Sequence, residues 1–179
     1  VVRLHFIEVA EPNIDEPSSD FTRLCDALKA QWNIHAAMPD LRVLNSLQKT
    51  LRAGEWKVTV AVRKGRDIVA IYPGLVETAY GVAVDVGSTT IAAHLSDLYT
   101  GETLASAGLM NPQIRFGEDL MSRVSYVMMN PGGENEMTDA VRAALNDLVG
   151  EVVKEANITR EHIVEMTVVG NPIMHHLFL

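Results

Sequence analysis

The chain has 179 residues, 47% of them apolar, and a formal net charge of −8. That allows one large or two small domains with a real core, and nothing in it suggests disorder. The negative balance argues against general nucleic-acid binding. No apolar run approaches membrane-spanning length, so a soluble, cytoplasmic protein is expected, with neither nucleic acid nor membrane as a partner. The lone cysteine, Cys25, cannot close an internal disulfide, and one thiolate cannot hold an iron–sulfur cluster. It falls among Phe21, Leu24 and Leu28 at helical spacing and reads as a small buried hydrophobe.

In chain order, Val1 to Val9 alternates like a strand, and Glu11-Pro12-Asn13 breaks it. A polar loop from Asp15 to Asp20 offers Ser18, Ser19 or Asp20 as a helix cap before the Phe21–Leu28 stripe. Pro39-Asp40 opens a second helix with Leu41, Leu44, Leu47 and Leu51 on its core face, and Ala53-Gly54 ends it. Trp56 to Val62 and Ile68 to Tyr72 form a hairpin around Lys64-Gly65-Arg66-Asp67. Residues 1–75 thus read as a small β-α-α-β-β domain of α+β class, with His5 and His35 structural. Residues 76–179 form a second domain, with strands at about 80–86, 89–97 and 103–110. An irregular loop spans residues 111–117. A helical stripe of Leu120, Val124 and Val127 follows it, ended by Asn130-Pro131-Gly132-Gly133. Asp119 and Arg123, four apart, read as a surface ion pair, the alternative being that Gly117, Asp119 and Arg123 shape the floor of a binding cleft. Residues 135–156 are the clearest helix, and Asn157 is its left-handed stop. Thr167-Val168-Val169 reads as a buried strand running into Gly170-Asn171-Pro172. His175 and His176 are neighbours and diverge by about 100 degrees on a helix, whereas chelating pairs stand four apart, so no metal site is expected there.

The stretch with chemistry is Asp85-Val86-Gly87-Ser88-Thr89-Thr90, between two short apolar runs. Gly87 lets the backbone turn sharply. The hydroxyls and N–H groups of Ser88, Thr89 and Thr90 can cup an anion. Asp85 is expected on a strand buried on both faces, where a carboxylate needs a partner such as hydrated magnesium. Six residues alone fit equally a hairpin in which Asp85 accepts turn N–H bonds.

The stretch resembles the first phosphate loop of the actin-like ATPases, and the three strands before helices resemble the opening of a ribonuclease H-like half-domain of that superfamily. Leu98-Tyr99-Thr100-Gly101-Glu102, Asn111-Pro112-Gln113, Phe116-Gly117-Glu118-Asp119 with Ser122-Arg123-Val124, and Val169-Gly170-Asn171-Pro172-Ile173-Met174-His175-His176-Leu177 follow it in order. With Trp56 to Val60 and Tyr72-Pro73-Gly74 upstream, the chain is similar to the reductive activators of corrinoid proteins over nearly its whole length.

That resemblance implies ATP and magnesium as cofactors, and a [2Fe–2S] cluster in a ferredoxin-type domain outside this chain. It also implies a corrinoid protein of a methyl-transfer system as partner, returned from Co(II) to Co(I). A homodimer stays open. Asp85 would be the catalytic residue, holding magnesium through water; Gly87, Ser88, Thr89 and Thr90 would bind phosphates, with Gly170 and Asn171 on the opposite wall. Val1 inside a strand-like run, and His176-Leu177-Phe178-Leu179 without a cap, suggest a piece of a longer protein. The resemblance implies that a second phosphate loop and the adenosine-binding segment lie in a second half-domain outside this chain, so the chain alone is expected to bind ATP weakly or not at all. A small-molecule kinase of the same superfamily and an inactive docking module are the other classes to test.

Overall fold

Strand β1 (Val2–Glu8) runs antiparallel to β3 (Lys57–Arg63), which turns back into β4 (Asp67–Pro73). The computed structural model describes residues 2–15, 17–35 and 38–178 and divides the chain into two units, Val1–Ala79 and Tyr80–Leu179. Glu16 in the polar loop, and Val1 and Leu179 at the ends, lie outside the described residues.

In the first unit, Ser19 caps α1 (Asp20–Trp32) by accepting a bond from the Thr22 N–H at 3.0 Å, and Asn33 closes it in the left-handed conformation. Asp40 caps α2 (Leu41–Ala53) in the same way through Arg42. Between the helices a two-residue strand, β2 (Met38–Pro39), pairs parallel to β4 and completes a sheet of order β1-β3-β4-β2. It is too short to leave a period in the sequence. Ile7, Leu24, Leu28, Leu47, Leu51, Val60 and Ile68 are fully or nearly fully buried between sheet and helices. Each such side chain contributes about 1.5–3 kcal/mol of hydrophobic stabilisation. The expected core face of α2 is half corrected: Leu47 and Leu51 point inward, but Leu41 is 69% and Leu44 45% exposed. Val43 and Thr50 take the inward positions, because a stripe seated on 47 and 51 has 43 and 50 as its neighbours one turn away. Thr59, fully buried, donates through Oγ1 to the Gly74 carbonyl at 2.7 Å and accepts from the Val76 N–H at 2.9 Å. The segment after β4 is thereby tied back onto β3.

His5 is half-buried, stacked edge-on against Trp32 with ring centroids 4.9 Å apart, and its Nδ1 has no partner among the described residues. Burial, reinforced by Arg3, pushes its pKa below the ordinary value. The native state thus resists protonation that the unfolded chain accepts at about pH 6.5. The stabilising contribution is whole above that pH and fades as pH falls below it. The urea midpoint of the first unit is expected to drop between pH 7.5 and 5.5, and His5→Gln to remove much of that drop; equal slopes in both proteins would remove His5 as the cause.

The second unit is a sheet of order β7-β6-β5-β8, formed by β5 (Tyr80–Val86), β6 (Thr90–Asp97), β7 (Thr103–Met110) and β8 (Ile163–Gly170). The first three strands are an antiparallel meander, and β8 returns parallel to β5. The crossover carries α3 (Leu120–Met129) and α4 (Gly133–Glu155). Val141, Leu145, Leu148 and Val152 of α4 are buried against one face of the sheet, on Val82, Val84, Val86, Ile91, Ala93 and Leu95. Asn157 has φ of 51°, the expected left-handed stop. No helix among the described residues is long and apolar enough to cross a membrane.

The apolar run in β8 misleads. Met166, Val168 and Val169 are exposed, Val169 to 55%. A continuous apolar run reads like a parallel strand covered on both faces, but β8 lies at the sheet edge, on the far side of β5 from β6 and β7, where α4 packs.

Candidate functional site

Strand β5 sends alternate side chains to opposite faces. Val82, Val84 and Val86 go into the core under α4, while Ala83 and Asp85 face outward. Asp85 is therefore exposed, not buried on both faces as the apolar run suggested. Its carboxylate has no hydrogen-bond or ion-pair partner among the described residues. The hairpin alternative, in which Asp85 accepts turn N–H bonds, is not what the structure adopts.

The turn after β5 is closed by one backbone bond, from the Gly87 N–H to the Thr90 carbonyl at 3.0 Å. Glycine is required here by contact: a Cβ on Gly87 would lie 2.6 Å from the Thr90 oxygen. The carbonyls of the turn are all held from one side. Asn111 Nδ2 donates to Gly87 O at 2.7 Å, Arg123 Nη2 to Ser88 O at 2.5 Å, and the Asn111 N–H to Thr89 O at 2.8 Å. A trans peptide places each N–H opposite the preceding carbonyl. The N–H groups of Ser88, Thr89 and Thr90 are thus turned away from Asn111 and Arg123. Those of Ser88 and Thr89 have no acceptor among the described residues. Successive free N–H groups of this kind make an anion-binding concavity.

The parallel pairing of β8 with β5 sets Gly170 opposite Val86, so both strands end side by side. The turn that begins at Gly87 and the Gly170-Asn171 segment therefore leave the sheet at the same edge, at the carboxyl ends of two parallel strands where ligands bind in open α/β sheets. A Cβ on Gly170 would stand 3.1 Å from the Val86 carbonyl. Asn171 is exposed, and its Oδ1 caps α5 (Pro172–His176) by accepting from the Met174 N–H at 2.9 Å. His175 and His176 lie with ring centroids 6.0 Å apart at 89°, and among the described residues no group of three or more His, Cys, Asp and Glu gathers to hold a metal.

Arg123 departs from the surface reading. The expected surface pair with Asp119 does not form. Asp119 caps α3 instead, accepting from Ser122 N–H and Ser122 Oγ, each at 2.8 Å, and these bonds hold its carboxyl below the usual range. Arg123 is fully buried and donates to Gly117 O at 2.9 Å, Ser88 O at 2.5 Å and Met174 Sδ at 3.4 Å. Burial lowers its pKa and the Asp119 charge opposes that; a guanidinium stays charged regardless. The signal was present in the sequence: position 123 lies three after Leu120 and four before Val127, inside the apolar stripe of α3.

Asn111 was also hidden, in a segment expected to be a loop. Residues Pro112–Phe116 form a short 3₁₀ helix capped by Asn111, whose Oδ1 accepts from the Gln113 N–H at 2.9 Å. Gln113, fully buried, donates through Nε2 to Leu177 O at 2.9 Å and Met137 O at 3.2 Å. The segment therefore connects the turn, α4 and the residues after α5.

Fold and site together define a mixed α+β chain of two four-stranded sheets, the second with an open turn beside an exposed strand-end carboxylate. The family model of the RACo middle region matches residues 80–179, and that of the RACo linker region residues 1–78. The chain belongs to the RACo family. It is similar to the corrinoid activation enzyme RamQ of Eubacterium limosum, 29% identical over 143 residues, which covers 79% of this chain and 24% of RamQ. A solved reductive activator for corrinoid, iron-sulfur protein superposes with a TM-score of 0.79 at 32% identity, over 99% of this chain and 29% of that one. The archaeal actin homologue Ta0583 gives a TM-score of 0.28 at 17% identity, over 84% of this chain and 64% of its own. The chain spans about a quarter of the length of the corrinoid activators it matches.

Proposed function

We propose that this chain is the phosphate-binding part of an ATP-dependent activator that returns a corrinoid protein from Co(II) to Co(I). Residues 76–179 would open an actin-like ATPase domain, with the electron supplied by a [2Fe–2S] cluster held outside this chain. The family and the similarity to corrinoid activators support the general role. One observation carries the nucleotide reading: free N–H groups at Ser88 and Thr89 stand at the end of the strand that presents an unpartnered, exposed Asp85.

The residues present fit the implied ligand. Asp85 would hold magnesium through water, as that ion keeps much of its hydration shell. Ser88, Thr89 and Thr90 would bind the phosphates by N–H and hydroxyl, with Gly170 and Asn171 forming the second wall. When bound, magnesium supplies charge neutralisation at the phosphates. The chain's own part is to fix the N–H directions and leave Asp85 in water until the ligand arrives.

Two measurements test this. Isothermal titration of this chain alone with Mg-ATP is expected to show weak binding or none, and micromolar affinity would refute the incomplete-site reading. The full-length protein should hydrolyse ATP faster when a Co(II) corrinoid partner is added. Phosphate transfer to a small acceptor would instead indicate a kinase, and no turnover with either would indicate a docking module.

A further inference from the structure

We infer that Arg123 is a positioning residue that joins the two walls of the site into one mechanical unit. The inference rests on the nucleotide reading above for its ligand, but not for its geometry. A fully buried guanidinium is costly unless its donors are satisfied and its charge is answered. All its recorded acceptors are neutral: the carbonyls of Gly117 and Ser88 and the sulfur of Met174. No carboxylate forms an ion pair with it among the described residues, and Asp119 spends its oxygens on Ser122.

The three acceptors belong to three separate pieces of chain. Ser88 is in the turn whose N–H groups face outward, Met174 is in α5 directly after Gly170-Asn171, and Gly117 closes the 3₁₀ helix before α3. By fixing the Ser88 carbonyl, Arg123 fixes the direction of the Thr89 N–H. Through Met174, itself fully buried, the same guanidinium holds the short helix whose cap is Asn171. The two segments are more than eighty residues apart in sequence and share this one cation. An anion bound at the turn would bring negative charge toward a guanidinium whose acceptors carry none. Binding there should therefore tighten α5 as well as the turn.

The test uses the full-length protein with Arg123→Gln and Arg123→Lys, read by amide hydrogen exchange and by Mg-ATP titration. Arg123→Gln is expected to speed exchange at least about fivefold in residues 87–90 and 172–177 together, while the core of α4 around Leu148 keeps its protection. Mg-ATP affinity should fall about tenfold in parallel. Arg123→Lys keeps a charge but lacks the planar fork that reaches two carbonyls. It should restore part of the affinity while the exchange at residues 87–90 stays fast.

Faster exchange in only one of the two segments would overturn the shared anchor. So would a general rise that includes α4, which would mark Arg123 as an ordinary core residue. Wild-type affinity in both variants would overturn its link to the ligand. Should the wild-type protein itself bind no Mg-ATP, the nucleotide reading fails, and the exchange comparison still decides whether Arg123 couples the walls.

Discussion

Replacing Asp85 by Asn is expected to lower ATP turnover of the full-length protein by about a hundredfold or more, the scale seen when one preorganised electrostatic group is removed from an active site. The same change should leave the melting of the second unit almost untouched. Asp85 is exposed and has no partner among the described residues, so nothing in the native state loses a bond when the charge goes. Surface substitutions of this kind stay within about 0.5 kcal/mol. The combination decides the matter. A carboxylate that served the fold would show its loss in stability, and one that served only the ligand shows it in rate. Mg-ATP turnover and a denaturant titration on the same two proteins give both readings. Unchanged turnover would remove Asp85 from the mechanism, whatever the turn beside it does.

The lines of the fold that could be read in advance were those set by local periods and caps. The α4 stripe from Met137 to Val152, the Ser19 and Asp40 caps, the β3–β4 hairpin and the meander of β5, β6 and β7 all follow from spacing within one element. What could not be read depended on which face of an element is covered, and by what. Val168 and Val169 look like core in the sequence and are exposed because β8 is an edge strand. Leu41 and Leu44 are as apolar as Leu47 yet point outward, because α2 has room for one narrow stripe on the sheet. The site followed the same division. The turn at Gly87–Thr90 and its neighbours Gly170 and Asn171 were legible as small and polar residues at strand ends. Asn111 and Arg123 stood in the same motifs, but that they hold the turn was not legible. Their role is to satisfy carbonyls 20 to 35 residues away, and no local pattern encodes such a bond.

That hidden support carries the largest expected loss of stability. Asn111→Ala should destabilise the second unit by about 2–4 kcal/mol, because two groups lose their partners at once. The Gly87 carbonyl loses the Nδ2 donor at 2.7 Å, and the buried Gln113 N–H loses the Oδ1 acceptor at 2.9 Å. An unsatisfied buried group costs more than the bond it made, since the desolvation it underwent is no longer repaid. Asn111→Asp separates the two bonds. The carboxylate still accepts from Gln113 but presents a charged oxygen to the Gly87 carbonyl, where a donor is needed. Protonation restores a donor, so the native state should bind a proton that the unfolded chain releases near pH 3.9. The loss in Asn111→Asp is therefore expected to be smaller at pH 4.5 than at pH 7, whereas the loss in Asn111→Ala, which has nothing to titrate, should be the same at both. Urea titrations of the wild type and the two variants at both pH values check this. A pH-independent loss in Asn111→Asp would mean that the Gly87 carbonyl finds another donor when Nδ2 is gone, while Arg123 and the N–H of residue 111 keep the Ser88 and Thr89 carbonyls.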